Sequence, residues 1–302
     1  MNEVAGKTAL VTGASGFIGS ALARRLRRDG AIVHGVSRRP PGGGETCDRW
    51  WTADVTDLSE VRRVLLSAKP DLVFHLASVV SGSRAMDAVL PTLQANLVAA
   101  VNLLVATTER RVERILLAGS QEEAHPDGTW PVPASPYAAA KLAAGAYARM
   151  FHALYGAPAV WLRIFMVYGP DQPDDRKLIP SATRSLLRGI APAVSSGSRL
   201  VDWIYVDDVV EALSTAASVR GLEGRTLDIG SGTAVSLRAV LEQLARLVGT
   251  GVEPRFGVKG DRPLEQECVA DVDATAACMS WRPRTPLAEG LRRTVDWYRA
   301  RG

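Results

Sequence analysis

The segment SPYAAAK carries a tyrosine, Tyr137, and a lysine, Lys141, at positions i and i+4. On a helix this spacing brings both side chains to one face. An ammonium beside a phenol stabilises the phenolate and lowers the phenol pKa from about 10 toward neutrality, so that the tyrosine can exchange a proton. Ser120 follows an apolar run, RILLAG, that predicts a strand. Its hydroxyl could hydrogen-bond a carbonyl oxygen that the tyrosine protonates while a nicotinamide delivers hydride.

Glycines recur in the segment VTGASGFIGSAL, at Gly13, Gly16 and Gly19. The segment closes one predicted strand and opens a predicted helix, which is the context that a dinucleotide-binding turn requires. Small residues let the backbone approach a pyrophosphate, and the helix N-terminus supplies unpaired N–H groups and a positive dipole. The pattern therefore favours a dinucleotide site, with an ordinary structural turn as the alternative.

The next strand candidate, in IVHGVSRRPP, ends in Ser37, Arg38 and Arg39. A dinucleotide-binding unit usually places here an acid that binds a ribose hydroxyl. Two guanidinium groups instead suit a 2′-phosphate, which arginine holds with charge-assisted hydrogen bonds. The residues predict NADP as the preferred cofactor, with NAD possible; a solvated loop is the alternative. Further on, Asp54 could accept a hydrogen bond from an adenine amino group, whereas Asp57 is expected to cap a helix.

Short apolar runs alternate with amphipathic stretches through the first half of the chain. Nearly every run is apolar throughout, as in strands buried on both faces. This alternation predicts an α/β fold with a doubly wound parallel sheet of the Rossmann type over residues 1–168. A smaller C-terminal α/β substrate lobe is expected over 169–302, with segments near 200–230 returning to the first domain. The predicted strands are 8–12, 31–36, 50–53, 71–77, 114–119 and 159–165.

Composition narrows the function classes. The 302 residues are 47% hydrophobic and 23% charged with a net charge of +4, an ordinary globular balance. The basic stretch ARRLRRDG interleaves apolar residues at helical spacing, which predicts a solvated helix face rather than a nucleic-acid surface. Three separated cysteines and four histidines argue against a metal site or a disulfide framework. We find no apolar stretch of the roughly 20 residues that a membrane span needs, and expect a cytoplasmic protein.

Together these segments resemble the extended short-chain dehydrogenase/reductase family, which holds nucleotide-sugar epimerases, dehydratases and 4-ketoreductases. The resemblance spans nearly the whole chain, through TGASGFIG, DVTD, FHLAS, AGSQEE, SPYAAAK, VYGPDQ, VDWIYVDDVVEAL, LDIGSG and WRPRTPLAEGLRRTVDWY. It implies Ser120, Tyr137 and Lys141 as the catalytic triad, with Lys141 also holding the nicotinamide ribose. It also implies a homodimer through a four-helix bundle supplied by 92–108 and 136–152. The further cofactor contacts that it implies are Ser15, Phe17, Ile18, Val55, Leu76, Ala77, Ser78 and Asn96.

One departure from the family pattern bears on the reaction. After the position of Ser120, dehydratases tend to carry an acid pair or Ser-Glu, followed shortly by Tyr-Gly. Here Gln121 cannot act as an acid, Glu122 matches the position of the base, and Ala-His replaces Tyr-Gly. Glu122 and Glu123 also resemble the Glu-Glu of 4-keto-6-deoxy-sugar reductases. Dehydration is therefore disfavoured, and Glu122 is either a catalytic residue or a surface or capping residue.

Two further departures concern the substrate. An Asn usually precedes VYGP and an Arg usually begins the RDF segment, and both contact the nucleotide diphosphate; Met166 and Val201 replace them here. Burying a diphosphate against these side chains would be costly without compensation. The acceptor is then a sugar nucleotide held differently, or a ketone without a diphosphate. The substrate contacts predicted on this basis are Val80, Gln121, Met166, Arg199 and Arg262.

These observations predict an NADP-preferring oxidoreductase in which Tyr137 donates the proton, Ser120 orients the oxygen and Lys141 tunes the tyrosine. The leading interpretation is a ketoreductase acting on a nucleotide-linked 4-keto-6-deoxy sugar. An epimerase or dehydratase with a recycled bound cofactor is the main alternative. Others are a ketoreductase acting on a non-nucleotide metabolite, and a dinucleotide-sensing protein without chemistry. The expected partners are a small-molecule ketone or sugar nucleotide and a second copy of the chain, but neither nucleic acid nor membrane.

Overall fold

The computed structural model describes residues 4–39, 46–123, 132–260 and 267–301. Its strands and helices follow the apolar runs and amphipathic stretches of the sequence closely. Within these residues the strands are β1 Thr8–Thr12, β2 Ile32–Ser37, β3 Arg49–Thr52, β4 Leu72–His75, β5 Arg114–Ser120, β6 Ala159–Ile164, β7 Met166–Tyr168, β8 Leu200–Tyr205, β9 Thr226–Ile229 and β10 Ala234–Ser236. The helices are α1 Phe17–Arg28, α2 Leu58–Ala68, α3 Val89–Leu93, α4 Ala99–Arg110, α5 Pro136–Tyr155, α6 Leu178–Leu187, α7 Val206–Ser218, α8 Leu237–Val248, α9 Val272–Met279 and α10 Leu287–Arg299.

A seven-stranded sheet in the order β3-β2-β1-β4-β5-β6-β9 forms the centre of the molecule, and all of its strand pairs are parallel. The chain moves outward from β1 to β3 and then resumes on the other side of β1 with β4. This reversal is the switch point at which ligands bind in doubly wound folds. The predicted Rossmann-type sheet is confirmed. Every residue of β4 is buried, as expected of a strand covered on both faces.

The C-terminal part of the chain builds a second, three-stranded sheet in the order β10-β8-β7. Strand β7 lies before the predicted boundary at residue 168, yet it pairs with β8 in this small sheet. The expected return of residues near 200–230 corresponds to α7, which packs on α1, and to β9, which pairs with β6. Helices α6, α8 and α10 pack together beside the small sheet.

Two apolar clusters cover the opposite faces of the main sheet. On one face Leu22 of α1 is fully buried. The arginines of the same helix lie toward solvent, where Arg25 pairs with Asp29 at 2.7 Å and Arg27 pairs with Asp48 at 3.0 Å. The basic stretch is thus the solvated helix face that its periodicity predicts.

The segment Met86–Arg110 contradicts one expectation from the sequence. It is a continuous helical stretch of 25 residues that contains an 18-residue window with a mean hydropathy of 1.7, which by length and composition is enough to cross a membrane. It comprises a 3₁₀ turn, α3, a π-helical turn (Gln94–Val98) and α4. Helix α4 packs on α2 and α5, and Leu103 and Leu104 are buried in that contact. Because core helices of soluble proteins meet the same criterion, this is weak evidence for a membrane span.

Candidate active site

The glycine turn after β1 leaves no room for side chains. Gly13 has a φ of +72°, and a Cβ there would lie 2.7 Å from the backbone nitrogen of Ala77. A Cβ at Gly19 would overlap the carbonyl oxygen of Gly13. Helix α1 starts after Gly16 with no side-chain cap and no acidic residue in its first turn. The half-buried Phe17 and the following residues therefore present backbone N–H groups to an anion, and this cradle fits the pyrophosphate of a dinucleotide.

Beside this turn, Ser15, Ser37, Arg38 and Arg39 line a cleft of about 580 Å³. Both arginines are exposed, whereas Ser37 is half-buried and donates a hydrogen bond to the carbonyl of Arg39. The four residues come from the glycine turn and the carboxyl end of β2. The structure therefore brings together the cationic groups that the sequence singled out.

The segment after β3 is held by its own hydrogen bonds. The Oδ1 of Asp54 accepts from the backbone nitrogen and the hydroxyl of Thr56, at 2.9 and 2.8 Å. The carbonyl of Val55 accepts from Asn102 at 3.1 Å. Asp57 caps α2 as predicted, and its hydrogen bonds from Ser59 lower the pKa of its carboxyl. The adenine contact of Asp54 stays a prediction.

The segment after β4 is tied to β1 through buried polar groups. Thr12 Oγ1 and His75 Nδ1 lie 2.8 Å apart, and the backbone nitrogen of Ala77 donates to the same hydroxyl at 3.2 Å. The half-buried Leu76 donates its backbone N–H to the Thr12 carbonyl at 3.2 Å. Burial lowers the pKa of His75 to about 3, so the imidazole is neutral. The Thr12–His75 pair thus ties the segment after β4 to the end of β1, beside the glycine turn.

Asn96 supports the same loop from the π-helical turn, a feature often found at functional sites. The side chain is 1% exposed, and its amide nitrogen donates to the carbonyls of Val79 at 3.1 Å and Thr92 at 3.0 Å. Its Oδ1 accepts from the Ser78 hydroxyl at 2.5 Å. Ser78 is thereby fixed next to Tyr137.

The predicted triad converges at the carboxyl edge of the sheet. Ser120 ends β5, and α5 begins after Ser135, whose hydroxyl caps its N-terminus. The hydroxyls of Ser120 and Ser78 lie within hydrogen-bonding reach of the Tyr137 phenol. The ammonium of Lys141 lies 5.9 Å from the centre of the Tyr137 ring. The sequence indicated the triad, but not the second hydroxyl.

The electrostatics of the triad differ from the sequence-based expectation. Burial raises the pKa of the Tyr137 phenol well above its ordinary value, and the negative charges of Glu122 and Glu123 add to this rise. Burial also lowers the pKa of Lys141 to about 8. The direction is opposite to the predicted drop of the phenol pKa toward neutrality, because burial disfavours the phenolate.

The segment after Ser120 contains one residue, Glu123, whose burial the sequence did not reveal. Gln121 and Glu122 are half-buried, and the Glu122 backbone nitrogen donates to Ser120 Oγ at 3.2 Å. Glu123 is instead 4% exposed, and its carboxylate accepts from Trp161 Nε1 at 3.0 Å. A tryptophan within an apolar strand needs a partner for its indole N–H. The need of the Trp161 indole N–H for an acceptor is the feature of the sequence that indicates a buried acceptor nearby, and in the structure this acceptor is Glu123.

The residues predicted to bind substrate lie on several elements. Met166 begins β7 and is half-buried, and the half-buried Arg199 directly precedes the neighbouring strand β8. Val201 is 2% exposed, so its side chain belongs to the core. Val80 is 46% exposed on the loop after β4. Arg262 lies outside the described residues.

Within the described ranges, no group of three or more His, Cys, Asp or Glu side chains is arranged as a metal site. The cysteines are free thiols: Cys47 is buried, and Cys268 and Cys278 are half-buried.

Comparison with known proteins finds relatives along the whole chain. The model of the NAD dependent epimerase/dehydratase family matches residues 9–230. A UDP-glucose 4-epimerase from Mycolicibacterium smegmatis is 31% identical, with 96% of this chain and 98% of the relative covered. A dTDP-glucose 4,6-dehydratase from Neisseria gonorrhoeae is 29% identical, with 97% and 95% covered. The structure of MoeE5 with UDP-glucuronic acid and NAD is 34% identical with a TM-score of 0.86, covering 98% and 100%.

These relatives are epimerases, dehydratases and a protein that binds a nucleotide sugar with NAD. They favour the epimerase or dehydratase alternative over the leading interpretation as a ketoreductase, and they give no support to a preference for NADP. The chain belongs to the NAD dependent epimerase/dehydratase family, within the extended short-chain dehydrogenase/reductase group.

Proposed function

We propose that the chain is a nucleotide-sugar epimerase that inverts C4 of a UDP-hexose and recycles its bound dinucleotide in each turnover. The observation that carries this proposal is the convergence of Ser120, Tyr137 and Lys141 beside the glycine turn. Two relatives add support for the substrate class: one is a UDP-glucose 4-epimerase, and MoeE5 binds UDP-glucuronic acid with NAD.

The residues of the site suit this chemistry. The glycine turn and the N-terminus of α1 would hold the pyrophosphate, and Lys141 the nicotinamide ribose. When bound, the oxidised nicotinamide supplies a positively charged hydride acceptor. Burial disfavours the Tyr137 phenolate, and the positive charge of the bound nicotinamide would offset this cost. Tyr137, as phenolate, would then take the proton of the sugar 4-hydroxyl and later return it to the same oxygen. Ser120 donates a hydrogen bond to that oxygen throughout, so the sugar is neither oxidised nor reduced overall.

The neighbours of Ser120 favour epimerisation over dehydration. A dehydratase must protonate the hydroxyl that leaves as water, which calls for an acid near the substrate. The amide of Gln121 has no proton of suitable acidity to give. Among the described residues that follow Ser120, Glu123 is held by Trp161 and by the Ser120 backbone, which leaves Glu122 as the candidate acid or base. Epimerisation requires no acid for a leaving group, because Tyr137 handles the proton that is exchanged.

We further propose that the chain accepts NADP in addition to NAD. Ser37, Arg38 and Arg39 provide no carboxylate for the ribose hydroxyl pair. The two guanidinium groups flank a cleft that reaches Ser15 of the glycine turn. A 2′-phosphate in this cleft would gain charge-assisted hydrogen bonds that NAD cannot make.

Helices α4 and α5, with the turns that precede α4, are the proposed homodimer interface. They leave large apolar side chains exposed: Leu90 is 69% exposed, Tyr147 is 41% and Leu154 is 66%. A four-helix bundle with a second copy would bury this surface. Light scattering of the purified protein, with Leu154→Glu as a weakened variant, tests the dimer directly.

The proposed function is tested by incubating the purified protein with UDP-glucose and with UDP-glucuronic acid, without added dinucleotide. Proton NMR distinguishes the C4 epimers by the coupling of H4 to its neighbours. We expect one of these sugars to be converted to its C4 epimer. Failure with both sugars, together with stoichiometric oxidation of NADPH on a 4-keto sugar nucleotide, would restore the ketoreductase interpretation.

A further inference from the structure

Two buried charged side chains, Lys141 and Glu123, lie at the carboxyl end of β5, which extends beyond the neighbouring strand β4. Strand β4 ends at His75, so the last residues of β5 have no β4 partner for their backbone groups. The Lys141 ammonium donates to the Ala118 carbonyl at 2.7 Å, and the Glu123 carboxylate accepts from the Ser120 backbone nitrogen at 2.7 Å. Buried backbone groups need such partners. Lys141 and Glu123 thus supply the hydrogen bonds that β4 does not provide to the last residues of β5, which include Ser120.

Glu123 forms hydrogen bonds with both backbone groups of Ser120, the N–H and the carbonyl. Besides the bond to its carboxylate, the Glu123 backbone nitrogen donates to the Ser120 carbonyl at 3.1 Å. Both carboxylate oxygens lie 3.0 Å from Trp161 Nε1 of the adjacent strand β6. The carboxylate is therefore fixed by donors on two strands, and the residue it fixes in turn carries the hydroxyl beside Tyr137.

Two glycines make the space for this arrangement. A Cβ at Gly119 would lie 2.5 Å from Glu123 Oε1, and a Cβ at Gly145 would lie 3.0 Å from the Trp161 indole. Gly119 belongs to β5 and Gly145 to the facing helix α5. Any side chain at Gly119 would displace the Glu123 carboxylate, so the buried position of this carboxylate requires a glycine there.

The charged groups around Glu123 come from both elements packed against it. Helix α5 contributes Lys141 and Tyr137, and β6 contributes Arg163, which also pairs with Asp228 at 2.6 Å. Burial raises the pKa of Glu123 to about 7 and lowers that of Lys141 to about 8. Burial disfavours the charged form of both groups, so the charge of each is stabilised by the charge of the other.

We propose that Glu123 is a positioning residue for the reaction: it fixes the backbone of Ser120, and its negative charge keeps Lys141 protonated beside Tyr137. This role rests on the proposed function, because it concerns the same triad. Its electrostatic part can nevertheless be tested without a substrate.

The first test measures the titration of the two groups by NMR in protein labelled at the glutamate carboxyl and the lysine Cε. The signals are identified by their loss in Glu123→Gln and in Lys141→Met. We expect Glu123 to titrate near pH 7, and Lys141 to lose its proton about one pH unit lower in Glu123→Gln than in the native protein. An unchanged Lys141 titration in Glu123→Gln would refute the electrostatic role.

The second test follows C4 epimerisation of the UDP-hexose against pH. The charge of Glu123 raises the pKa of Lys141, so the limb of the profile at which Lys141 loses its proton should move to lower pH in Glu123→Gln. Glu123→Asp retains the charge, and its profile should stay near the native position even where kcat falls. Glu113→Gln, an exposed glutamate directly before β5, should leave the profile unchanged.

The outcomes separate this inference from the proposed function. If no UDP-hexose is converted, the proposed function fails while the NMR titrations still decide the role of Glu123. If epimerisation proceeds and the Lys141 limb of the Glu123→Gln profile coincides with that of the native enzyme, Glu123 has only a structural role. Should Glu123→Gln fail to fold, native Lys141 must still show an inflection at the titration midpoint of Glu123, and its absence refutes the coupling.

Discussion

Lys141 donates a hydrogen bond from its ammonium to the Ala118 carbonyl at 2.7 Å, and so anchors helix α5 to the carboxyl end of β5. Tyr137 precedes Lys141 by one turn on this helix, and Ser120 ends the strand. The bond therefore fixes the position of the Tyr137 phenol along the strand relative to the Ser120 hydroxyl. The relative positions of these two groups depend on the packing of a helix on a strand.

Replacing the phenol removes the group that we propose to exchange the substrate proton. We expect Tyr137→Phe to lower kcat by about two to four orders of magnitude, since general acid–base catalysis contributes that much. Binding of the dinucleotide, followed as the rise in Tm, should remain.

The matched control is Tyr155→Phe, which removes an exposed phenol at the far end of the same helix. Its kcat should equal that of the native enzyme. Equal activity of native and Tyr137→Phe enzymes would mean that another group moves the proton.

The glycine turn can be tested by a pair of substitutions with the same backbone strain. Gly13 and Gly6 both have positive φ, at +72° and +78°, but only the Cβ at Gly13 would meet the backbone of the loop after β4. We expect Gly13→Ala to abolish the rise in Tm produced by NAD. Gly6→Ala, which enters open space, should retain it. Retention of full NAD binding in Gly13→Ala would show that the dinucleotide lies elsewhere.

Arg38 should discriminate between the two dinucleotides. A charged hydrogen bond to a 2′-phosphate contributes about 1.5–3 kcal/mol, so Arg38→Ala should weaken NADP binding by one to two orders of magnitude. The affinity for NAD, measured by calorimetry on the same variant, serves as the internal control and should change little. Equal losses for both dinucleotides would place the arginine outside a 2′-phosphate site.

Glu123 also makes stability depend on pH. Its folded-state pKa of about 7 lies above its ordinary value of 4.5, so protonation favours the folded state. This contribution is fully present below pH 4.5 and is lost as pH rises through 7. Relative to the native protein, Glu123→Gln should therefore gain about 3 kcal/mol between pH 4.5 and 8. Urea denaturation at both pH values measures the gain, and a difference that is independent of pH would contradict the raised pKa.

The sequence sufficed for most of the architecture, because strands of a parallel sheet are continuous apolar runs. Strand β1 has the predicted bounds, and the other predicted strands of the main sheet differ by a few residues at their ends. The Tyr137–Lys141 pair was also predictable, since its spacing on a helix is a local property.

Features that depend on distant elements were not predictable. The run SQEE has the composition of a polar loop, and only the packing of Trp161 and the space at Gly119 bury Glu123. Burial by the surrounding elements raises the pKa of Tyr137, and this burial cannot be inferred from the Tyr-Lys motif alone. The sequence does not indicate a continuous apolar segment between Met86 and Arg110, because scattered polar residues interrupt the apolar ones.

The most direct test of the recycled-dinucleotide mechanism is epimerisation of a UDP-hexose labelled with deuterium at C4. The account predicts that the C4 epimer retains its deuterium, because the same hydride leaves and returns within one turnover. Exchange of that deuterium for solvent hydrogen would show that C4 is deprotonated and not oxidised, and it would contradict the account.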